Sequence, residues 1–335
     1  MTHIIPPHMK RLLTTTVAGL ALFSAQQALA NEAIVYTSNN VQTIDAALDI
    51  AKESAPELTI QKVTSGTGAL MKRIEAEVDN PLGDVVWGGG FGTMAAFKHN
   101  FESYDSPNKE HVDEAFRGED DLWLGSNIHV MIIMVNERQL RGEDAPKTWE
   151  DLFDPKWKGK IIIGDPTSSG SAYDQIYGIH QLYGEEGLQK LAANVDVSKS
   201  SGQVYKGVAN GEYPLGITME YAAYAYIAGG QPGIEIIYPE DGSFAAPEAV
   251  AVIKNPKNGQ ENAHKLHDIL MSKEVQEAEL VENFRRPSRS DIDVAALTKL
   301  PNLSDIQVEP TDPMKAAEVY DDLIELWKQA LAAAN

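Results

Sequence analysis

The feature that most constrains this chain is a recurring order. An apolar, β-branched run is followed by a loop of Ser, Thr, Asn and Gly, and then by apolar residues at helical spacing. "EAIVYTSN" leads into "VQTIDAALDIAKESAPEL", where Ile44, Ala47, Leu48 and Ala51 share one helix face. "LTIQKV" passes through "TSGTG" into "ALMKRIEAEVDNP", which Asn80-Pro81 ends. "GDVVWGGG" runs into three glycines, and "GKIIIG" runs into "DPTSSGSAYDQI". Strand, polar loop and helix repeated in this order predict an α/β protein. The long β-like run "SNIHVMIIMVNERQL" reads as a crossover between two lobes, and a chain of 335 residues suits about two domains. There is no Pro/Ser linker and no short-period repeat, so the expectation is two interwoven lobes rather than beads on a string.

The start of the chain reads as a secretory signal peptide. Lys10 and Arg11 precede the apolar "LLTTTVAGLALF", and "ALA" at Ala28–Ala30 supplies a small-x-small cleavage site, so cleavage is expected after Ala30. The apolar run is too short to span a bilayer. Met1 and Met9 both remain open as the initiator. The sequence has no cysteine, which excludes disulfides, thiolate metal sites, a cysteine nucleophile and a lipid-modified cysteine. A formal net charge of −21 and the absence of basic patches speak against nucleic acid as a partner. An anionic ligand would have to be drawn in by local features.

Such features exist. "YTSNN" follows the first strand, while "TSGTGAL" and "TSSGSAY" each open a helix. Small hydroxyl residues and glycines leave backbone N–H groups open, and the helix dipole favours negative charge. An oxyanion could take hydrogen bonds from Ser65, Thr67, Ser169 and Ser171 without a lysine; ordinary N-capping explains the same residues. "GGGFG" lacks dinucleotide spacing and reads as close backbone approach to a ligand, or as a tight turn. "GITMEYAAYAYIAGG" places Glu220 and Tyr221 just after a strand expected to end at Thr218, where α/β sheets bind ligands. Glu220 could accept from an ammonium or a sugar hydroxyl and Tyr221 could donate to an oxyanion; the alternative is that Glu220 caps the next helix and the neighbouring tyrosines pack.

Enzymatic motifs are missing: no Walker lysine, no G-x-S-x-G elbow, and an S-x-x-K match at Ser106–Lys109 without supporting partners. His264 and His267, three apart, read as a solvated helix face, and His129 as a buried or satisfied histidine.

Taken together, "IVYTSNN", "GTGALMKRIEAE", "GDVVWGGG", "TWEDLFDPKWKGKIIIGDPTSSGSAY", "VYKGVANGEYPLGITMEYAA" and "FRRPSRSDI" resemble the periplasmic solute-binding proteins of ABC importers. The resemblance is to the ferric-iron-binding group and its organophosphate- and phosphonate-binding relatives. It implies a type II-like fold of two α/β lobes with mixed sheets and crossover hinge strands, closing on ligand like a hinged trap. The expected lobes are 31–127 with 245–285, and 128–244 with 286–335, hinged near 127–136 and 238–250. The iron-binding members hold Fe(III) with a His, a Glu and two adjacent tyrosines. In this sequence those positions fall on Asn40, near Gly89, and on Tyr221-Ala222, a set unsuited to a hard trivalent cation. The anion-binding segment is retained in Ser169, Gly170 and Ser171. The implied ligand is therefore a small phosphate- or phosphonate-bearing solute, such as 2-aminoethylphosphonate or a sugar phosphate, with Glu220 at its other end and neutral dipoles sufficient for the anion. The expected ligand-binding set is Ser38, Asn39, Asn40, Ser65, Thr67, Gly89, Gly90, Ser169, Gly170, Ser171, Ser201, Thr218, Glu220 and Tyr221, with no catalytic residue, metal or cofactor. The implied protein is a periplasmic monomer that delivers its ligand to an inner-membrane permease. A ferric-iron carrier and a secreted phosphoesterase stand as the alternatives.

Overall fold

A computed structural model describes residues 31–334, so the expected signal segment lies outside the described residues. The apolar runs form strands as their patterns predict. β1 (Glu32–Thr37) lies between β2 (Thr59–Thr64) and β3 (Val85–Gly90), all parallel. Helices α1 (Val41–Ser54) and α2 (Thr67–Ala76) follow β1 and β2, and the short α3 (Phe91–Ala96) follows β3. β4 (Leu124–Asn136) is buried along its whole length. β5 (Ile161–Gly164), α4 (Gly170–Ala192), β6 (Val195–Ser198), α5 (Ser201–Ala209), β7 (Leu215–Met219) and α6 (Glu220–Ala228) repeat the strand-loop-helix order. β8 (Ile234–Ile237) and the long β9 (Ser243–Ile253) come next. Helices α7 (Gln260–Leu270), α8 (Lys273–Asn283), α9 (Pro313–Glu318) and α10 (Tyr320–Ala334) complete the described chain.

The strands join in the order β2-β1-β3-β9-β4-β7-β5-β6. Two parallel groups, β2-β1-β3 and β7-β5-β6, are thus connected through the antiparallel pair β9 and β4. β4 divides its hydrogen bonds along its length: residues 124–130 pair with β9, and residues 131–135 with β7. A parallel group needs helical crossovers on its faces, so each group buries its own apolar core. One core gathers Ala33, Val35, Ile44, Val85 and Trp87 with Leu266 and Leu270 of α7. The other gathers Ile133, Ile161, Ile163, Ile176 and Leu215 with Trp149, Trp157 and Trp327.

The C-terminal segment forms two helices rather than one, divided at Val319. Asp312 caps α9 by accepting from the amides of Met314 and Lys315 at 2.9 and 3.0 Å. The Tyr173 hydroxyl donates to the Ala316 carbonyl, and its ring meets that of Tyr320 at 4.6 Å, so α4 engages the chain on both sides of the break. His267 is also not on a solvated face as expected. It is buried beside Asp268, and His264 stacks on Tyr104 at 3.8 Å.

Trp327, 1% exposed, anchors α10 on the second core. Truncation of Trp327 to alanine is expected to cost about 3–5 kcal/mol, read as a lower urea midpoint at unchanged slope.

Candidate functional site

In an α/β sheet the carboxyl ends of parallel strands carry the loops that meet ligands. Here the ends of β1, β2 and β3 supply Ser38, Thr67 and Gly89–Gly90, and those of β5, β6 and β7 supply Ser168–Ser171, Lys199–Gly202 and Tyr221. All of them line one cavity of about 380 Å³.

On one side two helix starts converge. Asp165 shapes the turn after β5 by accepting from the amide and the hydroxyl of Thr167 at 2.9 and 2.7 Å. Ser169 then caps α4, accepting from the Ala172 amide at 3.3 Å. Ser201 is the first residue of α5 after β6, behind Ser200, which makes no side-chain cap hydrogen bond. The Oγ atoms of Ser169, Ser171 and Ser201 lie between 2.6 and 3.2 Å from one another. Three hydroxyls and two positive helix ends are therefore gathered at one point. From the other half of the sheet come Ser38 Oγ and Thr67 Oγ1, 3.0 Å apart. The glycines after β3 make room for this pair. Gly88 and Gly89 have φ of +118° and +94°; a Cβ on Gly88 would overlap Ser38 Oγ, and one on Gly89 would lie 2.6 Å from Thr67 Cγ2.

The cavity also holds formal charges that sequence reasoning did not place there. Arg285, 4% exposed, donates through Nη1 to Glu248 Oε2 at 2.6 Å, lies 3.2 Å from His129 Nε2, and sits 4.7 Å above the Tyr221 ring. Its Nε is buried without a hydrogen-bond partner among the described residues. Asn127 Nδ2 adds a second donor to Glu248 at 3.2 Å, and His129 Nε2 lies 3.4 Å from the same oxygen. Burial pushes the Glu248 carboxyl up, but His129 and Arg285 outweigh it and hold it well below the usual range. Burial pushes the Tyr221 hydroxyl up to about 12, so it remains a donor at neutral pH. Asp174 has no comparable help: burial, with Glu248 adding to it, pushes its carboxyl up to about 7. Behind the cavity, burial pushes Glu279 up to about 8, opposed by Arg285. The expectation that neutral dipoles alone would face an anion is thus corrected: Arg285 and Lys199 both line the site.

Of the expected ligand set, Ser38, Thr67, Gly89, Gly90, Ser169, Gly170, Ser171, Ser201 and Tyr221 line this cavity, and the other five do not. Asn40 caps α1 by accepting from the Thr43 amide at 2.9 Å, and Asn39 is buried with its Nδ2 3.5 Å from the Trp87 carbonyl. Ser65 is exposed outside the cavity, and Thr218 is buried within β7. Glu220 is the substantive correction. Its two carboxylate oxygens accept from Arg286 Nε and Nη2 at 2.6 and 2.7 Å, and Tyr238 donates to it as well. A carboxylate gripped at both oxygens inside the protein has nothing to offer a ligand.

Asp174 had a readable signal. It lies three residues after Ser171 on α4, hence on the same helix face. His129, Glu248 and Arg285 had none, because they meet only through the pairing of β4 with β9 and the return of the chain after α8.

The chain belongs to the bacterial extracellular solute-binding protein family, whose pattern matches residues 80–308. It is 26% identical over 258 residues to a periplasmic protein of Salmonella typhimurium for which 2-aminoethylphosphonate binding has been proposed, covering 71% of this chain and 72% of that one. Among solved structures it is similar to the periplasmic binding protein AfuA of Actinobacillus pleuropneumoniae, described with fructose-6-phosphate bound. The TM-score is 0.80 and the identity 26%, over 90% of this chain and 99% of that one. Iron-bound HitA of Pseudomonas aeruginosa shares the fold at a TM-score of 0.79 and 19% identity, over 89% and 99% of the two chains. The architecture is therefore the two-lobed α/β periplasmic binding protein fold, and the Salmonella and Actinobacillus relatives are periplasmic binding proteins.

Two outcomes follow from the buried charges. Glu220→Gln leaves Arg286 buried without its counter-charge and should destabilise the protein by about 3–5 kcal/mol, measured by urea unfolding, without altering which solutes bind. Asp174 and Glu279 retain protons in the native state that the unfolded chain gives up near its lower, ordinary carboxyl values. Their contribution to stability is therefore lost progressively as pH rises from the ordinary carboxyl range, and is gone above about 7 and about 8. The contribution of Glu248, held low, has the opposite sign: it is fully present above the ordinary carboxyl range and is lost only in more acidic solution. The melting temperature of the unliganded protein is expected to fall from the ordinary carboxyl range up to about pH 8 and to level off above it, and Glu279→Gln should flatten the fall.

Proposed function

We propose that this protein captures a small organic solute bearing a phosphate or phosphonate group, for delivery to an ABC permease of the inner membrane. The observation that carries the reading is the convergence of Ser169, Ser171 and Ser201 at the starts of α4 and α5. Three hydroxyl donors and two helix dipoles suit a tetrahedral oxyanion, and the buried Arg285 adds a positive charge beside them. Ser38 and Thr67 extend the donor set from the other lobe, so a ligand held by both sides would favour a closed form. We assign the lobes to 31–127 with 245–285 and to 128–244 with 286–335, with β4 and β9 as the hinge strands. Export to the periplasm belongs to the same reading, supported by the periplasmic relatives; cleavage after Ala30 and function as a monomer are proposed with it.

A ferric-iron carrier fits the site poorly. Tyr221, the single tyrosine at the position of the pair, lies under the guanidinium of Arg285. A fixed positive charge there opposes a trivalent cation, and the accompanying carboxylate of Glu248 is already engaged by Arg285 and Asn127.

A thermal-shift screen of the mature protein against phosphonates, sugar phosphates, inorganic phosphate and Fe(III) tests the reading. A ligand at 100 times its dissociation constant should add about 2.7 kcal/mol of stability. Ser169→Ala with Ser171→Ala should weaken every phosphorus-bearing ligand by about tenfold or more. Stabilisation by Fe(III) alone, with a visible charge-transfer band, would replace this reading with the iron carrier. Release of phosphate from a bound ester would replace it with an enzyme.

A further inference from the structure

The site contains an acceptor whose need the protein does not meet. Asp174 lines the cavity, and no residue among those described gives its carboxylate a hydrogen bond or an ion pair. The other carboxylate of the cavity, Glu248, accepts from Arg285 and Asn127, and His129 Nε2 lies 3.4 Å from it. The charge that acts on Asp174 is that of Glu248, and it is repulsive. The Asp174 carboxylate points toward the glycine run after β3: Oδ2 lies 3.5 Å from where a Cβ on Gly90 would be. Asp174 also lines an adjoining cavity of about 250 Å³, with Phe91, Tyr177, Phe244 and Pro247 among its walls. An unpartnered carboxylate therefore stands where the oxyanion site meets a more apolar chamber.

Its position relative to the hydroxyl cluster is set by α4. Ser171 and Asp174 are three residues apart on one helix, which places their Cβ atoms about 5–6 Å apart. A ligand with its phosphorus group on the hydroxyls presents its next few atoms to Asp174. A spacer of about two or three carbons, at roughly 1.5 Å per bond, covers that distance.

Charge decides what lies at the far end of the spacer. A phosphate or phosphonate brings at least one negative charge into a cavity that already contains Asp174 and Glu248. Arg285 offsets Glu248, whereas Lys199, the other cation lining the cavity, makes no ion pair with Asp174 among the described residues. Sugar hydroxyls could donate to Asp174, but they would leave two like charges facing each other in a partly desolvated space. An ammonium supplies both the donors and a positive charge in direct contact with the Asp174 carboxylate, which no side chain of the cavity provides. Resting on the proposed capture of a phosphorus-bearing solute, we infer that Asp174 is the specificity-determining residue of this cleft and selects a short-chain ω-ammonium phosphonate or phosphate ester over neutral and polyhydroxylated analogues. The role expected of Glu220 passes to Asp174.

Calorimetric titration of the mature protein with 2-aminoethylphosphonate, ethylphosphonate, glucose 6-phosphate and inorganic phosphate tests this. The wild type is expected to bind 2-aminoethylphosphonate about ten- to a hundredfold more tightly than ethylphosphonate. Asp174→Asn keeps the shape and removes the charge. It should abolish that preference while ethylphosphonate binds as well as before or better. Titrations near neutral pH in buffers of different ionisation enthalpy should show proton release from the protein when the ammonium ligand binds, and none in Asp174→Asn. Equal affinity of the wild type for the two phosphonates, tighter binding of glucose 6-phosphate, or a preference that survives Asp174→Asn would overturn the assignment while leaving phosphorus capture in place. If none of the four probes binds the folded protein, the proposed capture of phosphorus solutes falls, and the role of Asp174 falls with it.

Discussion

The structure depends on one strand being shared. β4 hydrogen-bonds to β9 over its first half and to β7 over its second, and all of its residues are buried. A parallel group of strands cannot expose either face, so each group here is closed by its own helices. β4 and β9 nevertheless make the two groups one sheet path. This arrangement brings the carboxyl ends of two separate parallel groups to a common cavity, where neither group alone would complete a site.

Charge is distributed with the same economy. Arg285 and Arg286 are neighbours in the chain, yet each has a different carboxylate. Arg285 reaches Glu248 at the cavity, whereas Arg286 pairs with Glu220 in the interior. Neighbouring side chains of an extended segment point to opposite sides, which allows one short stretch after α8 to serve both places. The interior pair ties the start of α6 to the segment that returns along β4. The cavity pair keeps a cation beside the hydroxyl cluster and restrains it with a carboxylate, so the site is polar and ordered before any ligand arrives. Asp174 is left outside this compensation, which makes it responsive to the charge of what enters.

The same reasoning explains how the family fold can serve chemically different solutes. The scaffold supplies loop ends and helix starts at fixed positions. Gly88 and Gly89 are required by the close approach of Ser38 and Thr67, so the glycine run is a packing requirement of the cleft as well as a loop.

Much of this was legible in the sequence, because the signals are local. Alternation of apolar strands with capped helices predicts the α/β class, and Ser169, Ser171, Thr67 and the glycine run lie in loops whose chemistry is written within a few residues. The long-range pairings were not legible. Glu220 looked available because it follows a strand end, and nothing nearby in the chain reveals that Arg286, 66 positions away, takes both of its oxygens. Arg285, His129 and Glu248 belong to three distant segments, and whether a charged group is free or neutralised depends on neighbours that only folding supplies. The sequence by itself determined the class of fold and the anion-seeking helix starts, since hydrophobic periodicity and capping act over one or two turns. The tertiary structure decided which carboxylate faces the cleft unpaired, since desolvation and counter-charge are properties of the packed interior.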